Sequence, residues 1–212
     1  MATGQDLVDA PRRRGDRQRQ AIVDAVRELL NERKFAELSV RSISERAEVA
    51  RSGFYFYFDS KYAVLAHILA EFAAELEELT GNFAPRDLDE SPAQFAKRMV
   101  GSAAAVYAHH DPVMSACTSA RSTDAEIRDI LDGFNETVID QIVAIVDPEI
   151  RAHTADPIST DTRSLVRMLC ATTSMTLSGE SLFLGPQRDL DGAIQLLEKL
   201  WLTALWGGRA DG

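Results

Sequence analysis

Prolines cut this chain into segments, and between them run apolar stripes at helical spacing. Proline is excluded from most of a helix interior, because it lacks an amide proton and its ring crowds the preceding turn. Pro85, Pro92, Pro112, Pro148, Pro157 and Pro186 therefore read as separators. Before them, "RQAIVDAVRELLNER" puts Ile22, Ala25, Val26, Leu29 and Leu30 on one stripe. In "LSVRSISERAEVA", Ser39 is placed to cap a short helix whose Val40, Ile43 and Ala47 face one way. "SKYAVLAHILAEFAAELEEL" turns Val64, Leu65, Ile68, Leu69, Phe72 and Leu76 inward. Later stripes follow at Phe95–Met99–Val106, Ile127–Leu131–Phe134–Val138–Ile142, Leu165–Met168–Leu169–Leu177 and Ile194–Leu197–Leu200–Leu205. No segment alternates apolar and polar residues between hairpin turns. The expected fold is all-α with about nine helices: a three-helix helix-turn-helix unit and a six-helix remainder.

The expected organisation is a flexible basic arm over 1–16, a three-helix unit over 17–60 and a larger unit over 61–212. With 212 residues, 45% of them hydrophobic and 26% charged, the chain has enough apolar side chains for a real core. No apolar run approaches the ~18 residues of a membrane span, and no secretion signal opens the sequence. A cytoplasmic protein is expected, with no membrane partner. Charge is uneven. Residues 1–61 hold 12 Lys+Arg against 10 Asp+Glu, whereas the remainder holds 11 against 23. A mildly basic front end on an acidic chain still suits nucleic acid, since the local field decides the encounter. "RRRGDRQR" (12–19) adds five arginines there, as a solvated tail or as a DNA-reaching arm.

The stretch "RSGFYFYFDSK" (51–61) holds five aromatic residues in succession. As a strand it would stand alone in a helical chain, with its backbone groups unpaired. As a helix, at 100° per residue, it places Phe54 and Phe58 within 40° of each other, toward a core. Phe56 and Ser52 then point away, and Tyr55 and Tyr57 project to the two flanks. A helix lying in a DNA major groove needs this layout: the outer face meets base edges and each flank meets a phosphate backbone. Phe56 is suited to thymine methyl groups, and Arg51 to a phosphate or a guanine. Lys61 is a cation in the first turn of a helix, where it opposes the macrodipole, so a phosphate shared with the helix N-terminus is its expected partner.

"SVRSISERAEVARSGFYFYFDSK" resembles the N-terminal signature of TetR-type transcriptional repressors, through Ser39, Ala47, Val49, Phe54, Tyr55, Phe56, Tyr57, Phe58 and Lys61. "FYFYFDSKYAVL" and the closing "LEKLWLTALWGG" are most similar to the subgroup of the mycobacterial repressor of the ethionamide-activating monooxygenase. The resemblance implies a homodimeric, ligand-responsive repressor on a palindromic double-stranded operator, with no enzymatic activity. Its implied DNA-binding residues are Ser39, Arg41, Arg51, Ser52, Gly53, Tyr55, Phe56, Tyr57 and Lys61. Two positions depart from the family pattern: Glu48 replaces a glycine, and Ala50 replaces a capping serine. Each departure costs of order 1 kcal/mol in the turn and removes no DNA-facing side chain.

The resemblance also implies a ligand pocket in the larger unit, and dimerisation through the last two helices, expected over 162–184 and 189–206. Phe95, Met99, Ala103 and Tyr107 share one helix face, and Phe134, Val138 and Gln141 share another. The small residues of "GSAAAVYA" (101–108) leave room for a ligand or allow close helix packing. Thr173 and Thr176, in the hydroxyl-rich "CATTSMTLSGES", either anchor a ligand or bond back to their own helix. Alignment to the relative puts Thr173 where an asparagine anchors its ligand. Ala96, Ala103, Leu131 and Val138 stand at several of its aromatic positions, and Trp201 keeps one. The expected effector is a small apolar molecule. His109, His110 and Asp111 lack further ligands at useful spacing, so no metal or cofactor is expected. The rival class, a helical lipid carrier or small enzyme, needs a polar catalytic cluster that the sequence does not supply.

Overall fold

The computed structural model describes residues 6–80, 86 and 89–207, with side chains described for 15–72, 86 and 89–207. Within them lie ten α-helices and a 3₁₀ turn, and no strand. The front end comprises α1 (Asp6–Leu30), the 3₁₀ turn Phe35–Glu37, α2 (Val40–Arg46) and α3 (Arg51–Tyr57). Then come α4 (Lys61–Thr80), α5 (Pro92–His110), α6 (Val113–Ala120), α7 (Ala125–Arg151), α8 (Thr162–Leu177), α9 (Ser181–Leu184) and α10 (Leu190–Trp206).

Most helix starts are closed by local side chains, which explains why the sequence breaks where it does. Ser39 and Ser42 form a reciprocal capping box at α2, and Ser91 and Gln94 do the same at α5, with Pro92 in the first turn. Asp124, Asp161 and Asp189 accept from the amides of Ile127, Ser164 and Gly192 at 3.1, 3.0 and 2.9 Å, capping α7, α8 and α10.

Three details differ from the sequence expectation, and one falls outside the described residues. From Asp6 onward, the stretch read as an arm over 1–16 belongs to α1. Pro148 does not end a helix but sits inside α7, near its C-terminus. There it forgoes the backbone bond to Ala144 and crowds the preceding turn, a cost this long helix carries close to its end. The helix expected over 162–184 breaks after Leu177, where Gly179 turns left-handed at φ 79°, and a separate α9 follows. The inward position of Leu76 lies outside the described side chains. Otherwise the stripe of α4 is buried as expected, at Val64, Leu65, Ile68, Leu69 and Phe72.

The core does not divide at residue 60. One buried cluster runs from α1, α2 and α3 through α4 into α6 and the first half of α7. A second joins the start of α5, the second half of α7, α8 and α10. On α5 and α7 the handover falls mid-helix: Val106, Tyr107 and Phe134 pack on the first cluster, Met99, Val100 and Val138 on the second. Among the described residues no helix is long and apolar enough to cross a membrane.

Candidate nucleic-acid interface and effector site

The link between α2 and α3 is a Schellman turn. The Val49 amide donates to Ser44 O at 3.0 Å, and the Glu48 amide donates to Glu45 O at 3.4 Å. Glu48 takes the left-handed position at φ 55°, as expected where glycine is the ordinary choice. Ala50, the N-cap of α3, offers no side-chain acceptor. The turn thus has the right geometry without the residues that favour it most.

Along α3 the ring positions separate as the 100° rule requires. Phe54 is 0% exposed, and Phe58, leaving the helix at φ −141°, is buried beside it with ring centroids 6.2 Å apart. Phe56 is 80% exposed and Tyr55 is 51% exposed. Arg51 and Ser52 are exposed as well, and Arg51 makes no ion pair or hydrogen bond among the described residues. Gly53 is half-buried, and a Cβ there would meet only the Val49 side chain, at 4.0 Å. Nothing in the described chain requires a glycine at that place. The outer face of α3 is therefore a row of exposed groups over a buried Phe54, with the Tyr55 and Phe56 rings meeting, among the described residues, only the rings of their chain neighbours.

Tyr57 differs from its expected role. It is half-buried, and its hydroxyl donates to Gln18 Oε1 on α1 at 3.2 Å, with Gly15 close beneath the ring tip. The two flanking tyrosines are thus unequal. Nearby, Arg19 donates to His67 Nδ1 at 3.3 Å, and His67 Nε2 lies 3.3 Å from Glu71 Oε1. Arginine only donates, so Nδ1 is the acceptor and the ring proton sits on Nε2. Glu71 also meets Arg27 at 3.2 Å, completing a ladder that holds α1 against α4. Ser39 is occupied by its capping box, and Arg41 by an exposed pair with Glu45 at 2.8 Å. An exposed pair of this kind is screened by solvent and holds Arg41 only loosely.

Lys61 is placed against expectation. Its ammonium donates to the carbonyls of Phe35, Ala36 and Leu38 at 2.9, 3.2 and 2.8 Å, so no proton is left for a phosphate. Partial burial lowers its pKa from the ordinary lysine value, while the three acceptors favour the charged form.

The ten candidate ligand residues do not meet at one point. Phe95, Met99 and Trp201 are buried in the second cluster, and Val138 packs against it. Tyr107 and Phe134 pack on the first, and Ala103 is half-buried. Thr173 Oγ1 donates to Leu169 O and accepts from Trp201 Nε1, both at 2.9 Å. Thr176 Oγ1 donates to Thr172 O at 2.8 Å. The threonines thus bond back to their own helix, and Thr173 is doubly engaged. Tyr107 and Ser174 share a short hydrogen bond across α5 and α8, and burial raises the Tyr107 pKa above the ordinary tyrosine value. Gln141 Oε1 is buried without a hydrogen-bond partner. A groove of about 770 Å³, lined by Gln20, Arg27, Ile68, Phe72, His110 and Val113, includes none of the ten.

Burial pushes the thiols of Cys117 and Cys170 up to about 12, which keeps both protonated and poorly nucleophilic near neutral pH. Among the described residues no group of three or more His, Cys, Asp or Glu side chains is arranged to hold a metal ion.

Residues 22–68 match the family of bacterial regulatory proteins of the tetR type, and residues 96–207, just over half the chain, match the C-terminal domain of the transcriptional regulator EthR. The chain belongs to the TetR family, with an EthR-type C-terminal domain. It is 27% identical over 195 residues to the HTH-type transcriptional regulator EthR of Mycobacterium tuberculosis (strain ATCC 25618 / H37Rv), covering 91% of this chain and 89% of the relative. Against EthR of Mycolicibacterium smegmatis the identity is 26% over 199 residues, covering 91% and 88%. Among solved structures, a TetR transcription regulator from Haloarcula marismortui superposes with a TM-score of 0.65 at 18% identity, covering 89% of this chain and 98% of that one. A TetR-family regulator from Agrobacterium tumefaciens gives 0.62 at 15%, covering 89% and 97%. TetR-family proteins are DNA-binding transcriptional regulators and not enzymes.

In this TetR-family chain, sequence reasoning missed Gln18, Ser174 and the carbonyl acceptors of Lys61. Tyr57 and Gln18 are 39 residues apart, and Tyr107 and Ser174 are 67 apart. No local periodicity connects such pairs.

Proposed function

We propose that the protein is a ligand-responsive repressor that binds a palindromic operator as a homodimer and is released by a small, mostly apolar effector. Residues 17–60 form its DNA-binding unit, 61–212 its ligand-binding and dimerisation unit, and it works in the cytoplasm. The observation that carries the DNA-facing part is the outer face of α3: Arg51, Ser52, Tyr55 and Phe56 stand exposed on a helix whose opposite side is fully buried. A ring 80% exposed, whose one ring contact among the described residues is the edge of its neighbour Tyr57, contributes little burial to the chain. It suits a major groove, with Phe56 on thymine methyls and Arg51 on a guanine or a phosphate. The unfilled space at Gly53 suits close approach of the helix to DNA.

Dimerisation is supported by large apolar side chains left in solvent on the last helices. Met168 of α8 and Leu196 and Leu200 of α10 are exposed on helices that already bury another face against α5 or α7, and Leu182 is exposed on α9, which lies against α8 and α10. Two copies joined through such a surface by a two-fold axis would present two α3 helices to DNA, spaced about one helical turn or a multiple apart. Effector binding is supported by the division of the larger unit's core into two clusters, with Ala103, Tyr107, Phe134 and Val138 near the handover.

The test is binding of the purified protein to DNA from upstream of its own gene, titrated with salt and competitor. A shift that survives competitor and weakens log-linearly with salt supports the repressor reading. The same assay then screens apolar molecules for release. Competitor-sensitive binding there and to random duplexes alike would contradict it.

A further inference from the structure

Lys61 poses a physical puzzle. It opens α4, where a cation faces the positive end of the macrodipole. The structure resolves this with three carbonyl dipoles, those of Phe35, Ala36 and Leu38, at 2.9, 3.2 and 2.8 Å from Nζ. The same nitrogen lies 4.7 Å from the centroid of the Phe35 ring and 5.5 Å from that of Tyr62. Those two rings meet edge to face at 5.2 Å. An ammonium has three protons, and here each has its own carbonyl.

The acceptors lie in the short segment that leads into α2. Leu38 directly precedes Ser39, whose hydroxyl caps α2, and Phe35 and Leu38 anchor the segment in the first cluster. Whatever fixes these carbonyls fixes where α2 begins, and α2 packs on α3. Phe35 O also accepts from the Leu38 amide at 3.1 Å, so a lysine moving out to a phosphate would take the ammonium from the Ala36 and Leu38 carbonyls and leave Phe35 O with that one bond, and the loss opposes the new contact.

We propose that Lys61 is a positioning residue for DNA recognition: it staples the segment ahead of α2 to the start of α4 and acts on α3 through that scaffold, without touching a phosphate. The inference rests on the reading that α2 and α3 bind DNA. It departs from the phosphate contact that the position of this lysine suggests. Arginine cannot replace it, because a planar guanidinium fork does not match three carbonyls converging on one point.

The test uses the full-length protein, with a duplex selected from a random library on the wild type. Lys61→Met and Lys61→Arg are compared for melting temperature, duplex affinity and the slope of log affinity against log salt. The staple predicts that both variants melt lower and bind about tenfold or more weakly, with the salt slope unchanged. A phosphate contact predicts the reverse. Lys61→Met would then melt like the wild type with a slope smaller by about 0.9, and Lys61→Arg would bind normally. Should Lys61→Met not fold, reductive methylation of wild-type lysines decides. The staple predicts slow modification of Lys61 with and without duplex. Fast modification in the free protein, suppressed by the duplex, would overturn it. If the wild type selects no duplex, the DNA reading fails by itself, while melting and methylation in the free protein still judge the staple.

Discussion

α3 and α8 are both richer in polar-tipped side chains than a core helix requires, and they use them in opposite ways. On α3, Arg51, Ser52 and Tyr55 reach into solvent beside a bare Phe56. On α8, Thr172, Thr173 and Thr176 donate to carbonyls of their own helix, and Thr173 also accepts from Trp201. Hydroxyls on a helix have a local partner within reach, so their presence alone says little about a ligand. An arginine without a hydrogen bond or ion pair among the described residues, and a phenylalanine 80% exposed whose one ring contact there is the edge of its neighbour Tyr57, say more, because folding accounts for them poorly. The contrast separates exposed groups that folding barely uses from hydroxyls that folding already occupies.

The contrast can be broken first at its structural base. Phe54→Ala removes a ring that is fully buried in α3, and we expect a loss of about 3–5 kcal/mol in chemical denaturation, against less than about 0.5 for Phe56→Ala. Equal losses would mean that the two ring faces are not distinguished. On α8, Thr173→Val leaves the Trp201 indole N–H buried without its acceptor. A loss of about 1–3 kcal/mol by denaturant titration is expected, whereas a neutral outcome would leave Thr173 available for a ligand after all. The flanking tyrosines sharpen the comparison within α3. Tyr57→Phe should cost about 0.5–1.5 kcal/mol of stability by removing the bond to Gln18, while Tyr55→Phe should leave stability unchanged and weaken duplex binding. Smallest is Glu48→Gly, which relieves the left-handed backbone at φ 55° and should raise stability by no more than about 1 kcal/mol, read as a small rise in melting temperature.

Periodicity made the helices legible, since the buried stripes of α1 and α4 follow from spacing alone. So did the strained turn, because Glu48 occupies a place that backbone geometry reserves for glycine. The outer face of α3 followed from angles around one helix. What stayed hidden depends on tertiary placement. Lys61 reaches back 23–26 residues to its main acceptors, and Trp201 meets Thr173 across 28. Neither pairing has a local signature. Pro148 misled for a different reason: near a helix C-terminus a proline forgoes a backbone bond and crowds the preceding turn, and packing overrides that cost. The ligand residues were chosen by helix face, and two faces that each read as inward turned out to serve two separate clusters.

Whether the outer face of α3 reads DNA is tested by comparing the wild type with the double variant Arg51→Ala/Phe56→Ala in selection from a random duplex library. The wild type should enrich an inverted repeat. The variant should melt at the same temperature yet enrich the repeat weakly, with relaxed preference where Arg51 and Phe56 read bases. If the variant selects the same repeat with the same affinity, the outer face of α3 is not what reads DNA.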